Sequence, residues 1–79
     1  MTQQEALAWI AGLFEEPVAN VTPDRARDEI YGWDSLGVLS LMAELDEKFN
    51  IRIDEKQASG MTSVRDLLSL LEKHGAFAS

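Results

Sequence analysis

The sequence predicts an all-α domain of four helices, three long and one short, with a long loop after the first. Three observations carry this. Apolar residues recur at three- and four-residue spacing in three separate stretches, a capping residue stands ahead of each, and strand-like alternation is confined to Ile51-Arg52-Ile53. The chain has 79 residues, 46% of them apolar, and reads as one domain over 1–79 with no repeat or linker. A chain of that size buries only about 60% of its unfolded surface. That leaves room for one thin core and no enclosed catalytic cleft.

Thr2-Gln3-Gln4-Glu5 is a capping box, in which hydroxyl and carboxylate each satisfy a free amide. Behind it Ala6, Leu7, Ile10, Leu13 and Phe14 fall at helical spacing, giving a first helix over about 2–15 that Pro17 stops. Glu15 and Glu16 then sit at the end where the helix dipole disfavours carboxylates. Residues 17–33 hold no sustained period, and Val18, Val21 and Ile30 are the candidates for pinning them to a core. A connection of that length in a compact domain tends to be functional or mobile.

The second helix is expected over 35–49, with Val38, Leu41, Met42, Leu45 and Phe49 as its inward stripe. A second apolar seam, Leu36, Leu39 and Ala43, lies beside it. Either the preceding loop wraps that seam or a partner meets it. Asp54 is placed to cap a brief turn over 55–58 that Gly60 ends. Thr62 is the expected cap of a last helix over 63–73, carrying Val64, Leu67, Leu68 and Leu71 on one face. Residues after Gly75 are expected to fray.

With 14 acids against 7 bases the formal charge is −7. Phosphate contacts need clustered Lys and Arg, so a nucleic-acid partner is excluded, whereas basic protein surfaces suit the charge. No apolar run is long enough to span a membrane, and no basic segment followed by an apolar stretch opens the chain, so a cytoplasmic monomer is the default expectation. The absence of cysteine excludes disulfides and thiolate metal sites, and residues 54–59 lack the alternating oxygen ligands of a calcium loop. Any thiol this domain uses must be attached to it.

The informative string is Gly32-Trp33-Asp34-Ser35-Leu36, where the long loop meets the second helix. A serine at a helix start holds its hydroxyl toward solvent beside free amides, and the positive end of the dipole stabilises a phosphodiester there. Asp and Ser are also the commonest helix caps, and most such pairs do nothing else.

The setting gives the pair its meaning. Asp34-Ser35-Leu36 resembles the attachment motif of acyl carrier proteins. Leu45-Asp46-Glu47-Lys48-Phe49-Asn50-Ile51-Arg52-Ile53 is similar to that family's Leu-Glu-Glu-x-Phe-x-Ile-x-Ile segment. Thr62-Ser63-Val64-Arg65-Asp66-Leu67 looks like the family's opening of the last helix, with the threonine offset by one position. The resemblance covers nearly the whole chain and implies an acyl-carrier-like bundle that is not itself an enzyme. It implies that Ser35 carries covalent 4'-phosphopantetheine, and that a phosphopantetheinyl transferase reads Asp34 and Leu36. Leu36, Leu39, Ala43, Glu44, Asp46 and Glu47 would face partners, namely acyl- or ketoacyl-handling enzymes with basic docking patches. A sequestered acyl chain would enter near Leu45, Phe49, Ile53, Val64 and Leu68, residues that plain core packing also explains.

Three departures from fatty-acid carriers stand out. Gly37 and Ser40 occupy positions where those carriers usually have acids, and Trp33 replaces a small residue. Gly37 also weakens the first helical turn by up to about 1 kcal/mol. The pattern resembles dedicated carriers of specialised, polyketide-like pathways more than general fatty-acid carriers. Two rival readings compete with a carrier. A serine hydrolase needs a base beside its nucleophile, but the only histidine is His74, near the C-terminus, and no Gly-x-Ser-x-Gly elbow is present. An unmodified helical interaction module would share fold and charge, and requires that Ser35 is never modified.

Overall fold

The computed structural model describes residues 1–76. Within them the chain forms α1 (Gln3–Leu13), α2 (Ser35–Phe49), the short α3 (Glu55–Ser59) and α4 (Val64–Lys73). Two 3-10 turns, Val18–Asn20 and Arg27–Glu29, interrupt the long first loop. This is the all-α four-helix arrangement the periodicity implied.

Each helix starts where a side chain satisfies an orphan amide. The Thr2 hydroxyl accepts from Glu5 N–H at 3.2 Å, while the Glu5 carboxylate accepts from Thr2 N–H at 2.8 Å. The Thr2 backbone amide, then its hydroxyl, hold the Glu5 carboxyl below its ordinary value. The box therefore adds stability above the unfolded-state pKa and loses it as pH falls through the folded one. Asp54 accepts from Gln57 N–H at 2.7 Å to start α3. The cap of α4 is Ser63, whose hydroxyl accepts from Asp66 N–H at 3.3 Å. Thr62, the expected cap, lies one residue outside: its N–H donates to the Asp66 carboxylate at 2.9 Å.

The helix ends differ in their chemistry. α2 stops at Asn50, which takes the left-handed conformation at φ 56° and lets Ile51 N–H reach the Leu45 carbonyl at 2.9 Å. α1 ends at Leu13, two residues short of expectation, because Glu15 turns left-handed at φ 55°. Glu16 N–H then closes back on the Ala11 carbonyl at 2.9 Å. Expected fraying after Gly75 fails at Ala76, whose N–H donates to Leu71 and whose carbonyl accepts from the Met1 ammonium, both at 2.9 Å. Residues 77–79 lie outside the described residues.

The core draws on all four α-helices. Ala6 and Ile10 from α1, Val38, Leu41 and Leu45 from α2, Ala58 from α3, and Val64, Leu67 and Leu71 from α4 are buried. The loop adds Val21 and Ile30, but Val18 is exposed and pins nothing. Instead, backbone hydrogen bonds hold the loop to the start of α4. Arg27 N–H donates to the Thr62 carbonyl at 2.8 Å, and the Val64 and Arg65 amides donate to the Arg25 and Pro23 carbonyls at 2.9 and 3.0 Å. Asp24 pairs with Arg65 across the same seam. The first amides of α4 thus find their acceptors in the loop.

A second contact fixes the far end of that loop. Trp33 is buried and stacks on Phe14, with ring centroids 5.0 Å apart and planes 11° from parallel. Such a pair adds about 0.5–1.5 kcal/mol beyond area burial, against about 1–3 kcal/mol for burying an unpaired donor such as the Trp33 indole N–H. The backbones approach so closely that a Cβ on Gly32 would overlap the Phe14 carbonyl oxygen. A Cβ on Gly37 would overlap the Gly32 carbonyl and press on the Phe14 ring at 3.2 Å. Gly37 is therefore a packing requirement, and its weak helix propensity is the lesser effect.

Two substitutions test this geometry. Gly37→Ala gains at most about 1 kcal/mol of propensity but overpacks the contact by about 1–3 kcal/mol, so its melting temperature falls. A rise would contradict the close approach. Glu15→Gly relieves the left-handed conformation and removes a carboxylate from the negative helix end, raising stability by about 0.5–1 kcal/mol in thermal melts; a drop in melting temperature would count against that turn.

Candidate functional site

Asp34 and Ser35 form the joint between the long loop and α2. Asp34 is the helix cap: its Oδ1 accepts from Gly37 N–H at 2.9 Å, and its carbonyl accepts from Val38 N–H at 2.9 Å. Two amides stay free, because Ser35 N–H and Leu36 N–H have no acceptor among the described residues. The contrast with α4 is informative, since there the loop supplies the acceptors. At α2 the loop's Gly32 carbonyl packs against Gly37 instead, and no loop carbonyl reaches the Ser35 and Leu36 amides among the described residues.

Ser35 is the first residue of α2, is exposed, and its hydroxyl makes no hydrogen bond among the described residues. It lines a small cleft of about 140 Å³ with Arg27, Val38, Leu39, Glu55 and Ser59. These features suit an attached phosphodiester. A free hydroxyl is available for esterification, unpaired amides lie beside it, and solvent access is open to a modifying enzyme.

The apolar seam is uncovered. Leu36 is 73% exposed and Leu39 56%, and Ala43 is exposed beside them. The loop does not wrap this face, which settles one of the two alternatives left by the sequence. Steps of three, four and four residues place Leu36, Leu39, Ala43 and Glu47 in one stripe along α2. Asp46 and Glu44 flank it on opposite sides. Asp46 pairs with Arg52 at 3.1 Å on the surface. Glu44 is half-buried and accepts from the Trp9 indole N–H at 2.9 Å, with Lys48 at 3.3 Å. Of the acids named from the sequence, Glu44 is thus the one most engaged within the molecule.

The five residues named for a sequestered chain divide. Leu45, Val64 and Leu68 are buried in the core, while Phe49 and Ile53 are half-buried against it. Phe49 meets Trp9 edge-to-face at 5.0 Å. Sequence reasoning missed two neighbours of Ser35. Trp33 registered only as an unusual residue, although a large aromatic ahead of a helix start signals an anchor. Arg27 carried no signal at all, because its place beside Ser35 depends on the loop's docking. No helix among the described residues is long and apolar enough to cross a membrane.

Comparison with known proteins agrees with this geometry. A family model described as the phosphopantetheine attachment site matches residues 5–71. An acyl carrier protein of Helicobacter pylori is 36% identical over 69 residues, covering 87% of this chain and 88% of the relative. One from Exiguobacterium sibiricum is 35% identical, over 87% of this chain and 84% of its own length. The meromycolate extension acyl carrier protein of Mycobacterium leprae is 25% identical, over 92% and 67%. The group such carriers hold covalently, 4'-phosphopantetheine, supplies a terminal thiol for thioesters, which a chain without cysteine lacks. A helical bundle with an open serine at its second helix and a family match over most of its length, this chain belongs to the acyl carrier protein family, whose members are non-catalytic carriers on a phosphopantetheine arm.

Proposed function

We propose that Ser35 is the residue that receives 4'-phosphopantetheine, which makes this chain a substrate of a phosphopantetheinyl transferase. The observation that carries the assignment is the exposed, unbonded hydroxyl on the first residue of α2 beside two free amides. Asp34 holds that helix start in place through Gly37 N–H. The exposed Leu36 gives the transferase an apolar contact next to the nucleophile. Acyl groups are then carried as thioesters on the arm and handed to acyl- or ketoacyl-handling enzymes.

The stripe of Leu36, Leu39, Ala43 and Glu47, with Asp46 at its side, is the docking face in this reading. Exposed leucines favour burial against a partner, and the acids at its far end favour basic patches there. We assign the carrier to a specialised, polyketide-like pathway. What supports this is that position 37 has no space for a side chain, so an acid cannot stand there without disturbing Phe14 and Gly32. The negative charge of the docking face is displaced toward its C-terminal half, and a partner's basic groups must be displaced with it.

Intact mass after incubation with coenzyme A and a broad-specificity transferase tests the assignment. One phosphopantetheine addition is expected on the unmutated protein and none on Ser35→Ala. Addition to Ser35→Ala, or to neither folded protein with several transferases, would overturn it.

A further inference from the structure

Among the described residues, Arg27 is the one cation lining the cleft that holds the proposed attachment point. Arg25, Lys48, Arg52 and Arg65 each pair with a carboxylate. Arg27 is half-buried, yet it makes no ion pair among the described residues of a chain with 14 acids. Its Nε donates to the Trp33 carbonyl at 3.1 Å, which ties the guanidinium to the backbone two residues ahead of Ser35. Its two terminal nitrogens have no acceptor among the described residues. Arg27 and Ser35 line the same 140 Å³ cleft. A partly desolvated guanidinium held with free donors toward a cleft is a receptor for an anion or a strong acceptor.

We propose that Arg27 is the internal counter-ion of the phosphodiester carried on Ser35. This rests on the Ser35 assignment and extends it. The phosphate is the first group beyond the Ser35 oxygen, so it is the part of the arm that stays in the cleft while the rest extends. Its charge is added beside Asp34 and Glu55, on a protein whose formal charge is already −7. Without a cation that addition is repulsive. Arg27 supplies one without recruiting a group from solvent, because the bond to Trp33 and the Arg27 N–H bond to Thr62 already fix its place. The modification is therefore neutral or stabilising rather than a charge penalty, and the arm leaves the protein from a fixed root.

A cycle over two changes, apo to holo and Arg27→Gln, isolates the interaction from any purely structural role of Arg27, since loss of the Trp33 bond affects both forms alike. The expected result is that modification shifts the melting temperature about 2–5 °C more favourably with Arg27 than with Gln. The difference should shrink as salt is raised from about 0.02 to 0.5 M, and the phosphorus-31 resonance of the holo protein should move on substitution. Arg27→Lys, which keeps the charge, should recover part of the shift and serves if Arg27→Gln does not fold. Equal shifts in all variants with an unmoved resonance would overturn the proposal while leaving Ser35 in place. An intact mass showing no addition at Ser35 would remove both.

Discussion

The close approach between the end of α1 and the residues ahead of α2 sets the position of everything that matters for the carrier. Phe14 stacks on Trp33, its carbonyl faces Gly32, and its ring faces Gly37. These contacts leave no space for side chains at either glycine. They pack the Gly32 carbonyl onto Gly37, and the first two amides of α2 have no protein acceptor among the described residues while those of α4 do. Were the loop free to fold over the helix end, its carbonyls would compete for those amides as they do at Val64 and Arg65.

The core is apolar: among the described residues no polar or charged residue is buried, and the Trp33 indole N–H is the buried side-chain polar atom without a partner. In the proposed reading, recognition rests on the surface of α2. There the sequence keeps two exposed leucines and an acidic end, and omits charge from the first turn, where packing forbids a side chain at 37. In that reading, docking geometry follows from core packing as much as from surface choice.

Much of this was legible in the sequence. The stripe over Val38, Leu41 and Leu45 and the Asp34 cap set both ends of α2 correctly, because local signals coincide with tertiary contacts there. The string proposed for attachment, Asp34-Ser35-Leu36, was equally visible, since its residues are adjacent. What escaped were effects of distant contacts. α1 reads as longer than it is, because Pro17 is visible but the left-handed Glu15 is not. Thr62 and Ser63 are both good caps, and the choice falls to Ser63 because the Thr62 carbonyl is drawn to Arg27. Gly37 reads as a weak helix residue until Phe14 is placed against it. Arg27 has no local pattern and gains its meaning only from the cleft.

The start of α2 leaves its first amides without acceptors among the described residues, whereas the loop closes the start of α4. Amide hydrogen exchange on the unmodified protein, read residue by residue, tests this contrast. The Ser35 and Leu36 amides are expected to exchange at nearly unprotected rates, and the Val64 and Arg65 amides to be protected by the loop carbonyls. Strong protection at Ser35 and Leu36, or its absence at Val64 and Arg65, would contradict the contrast.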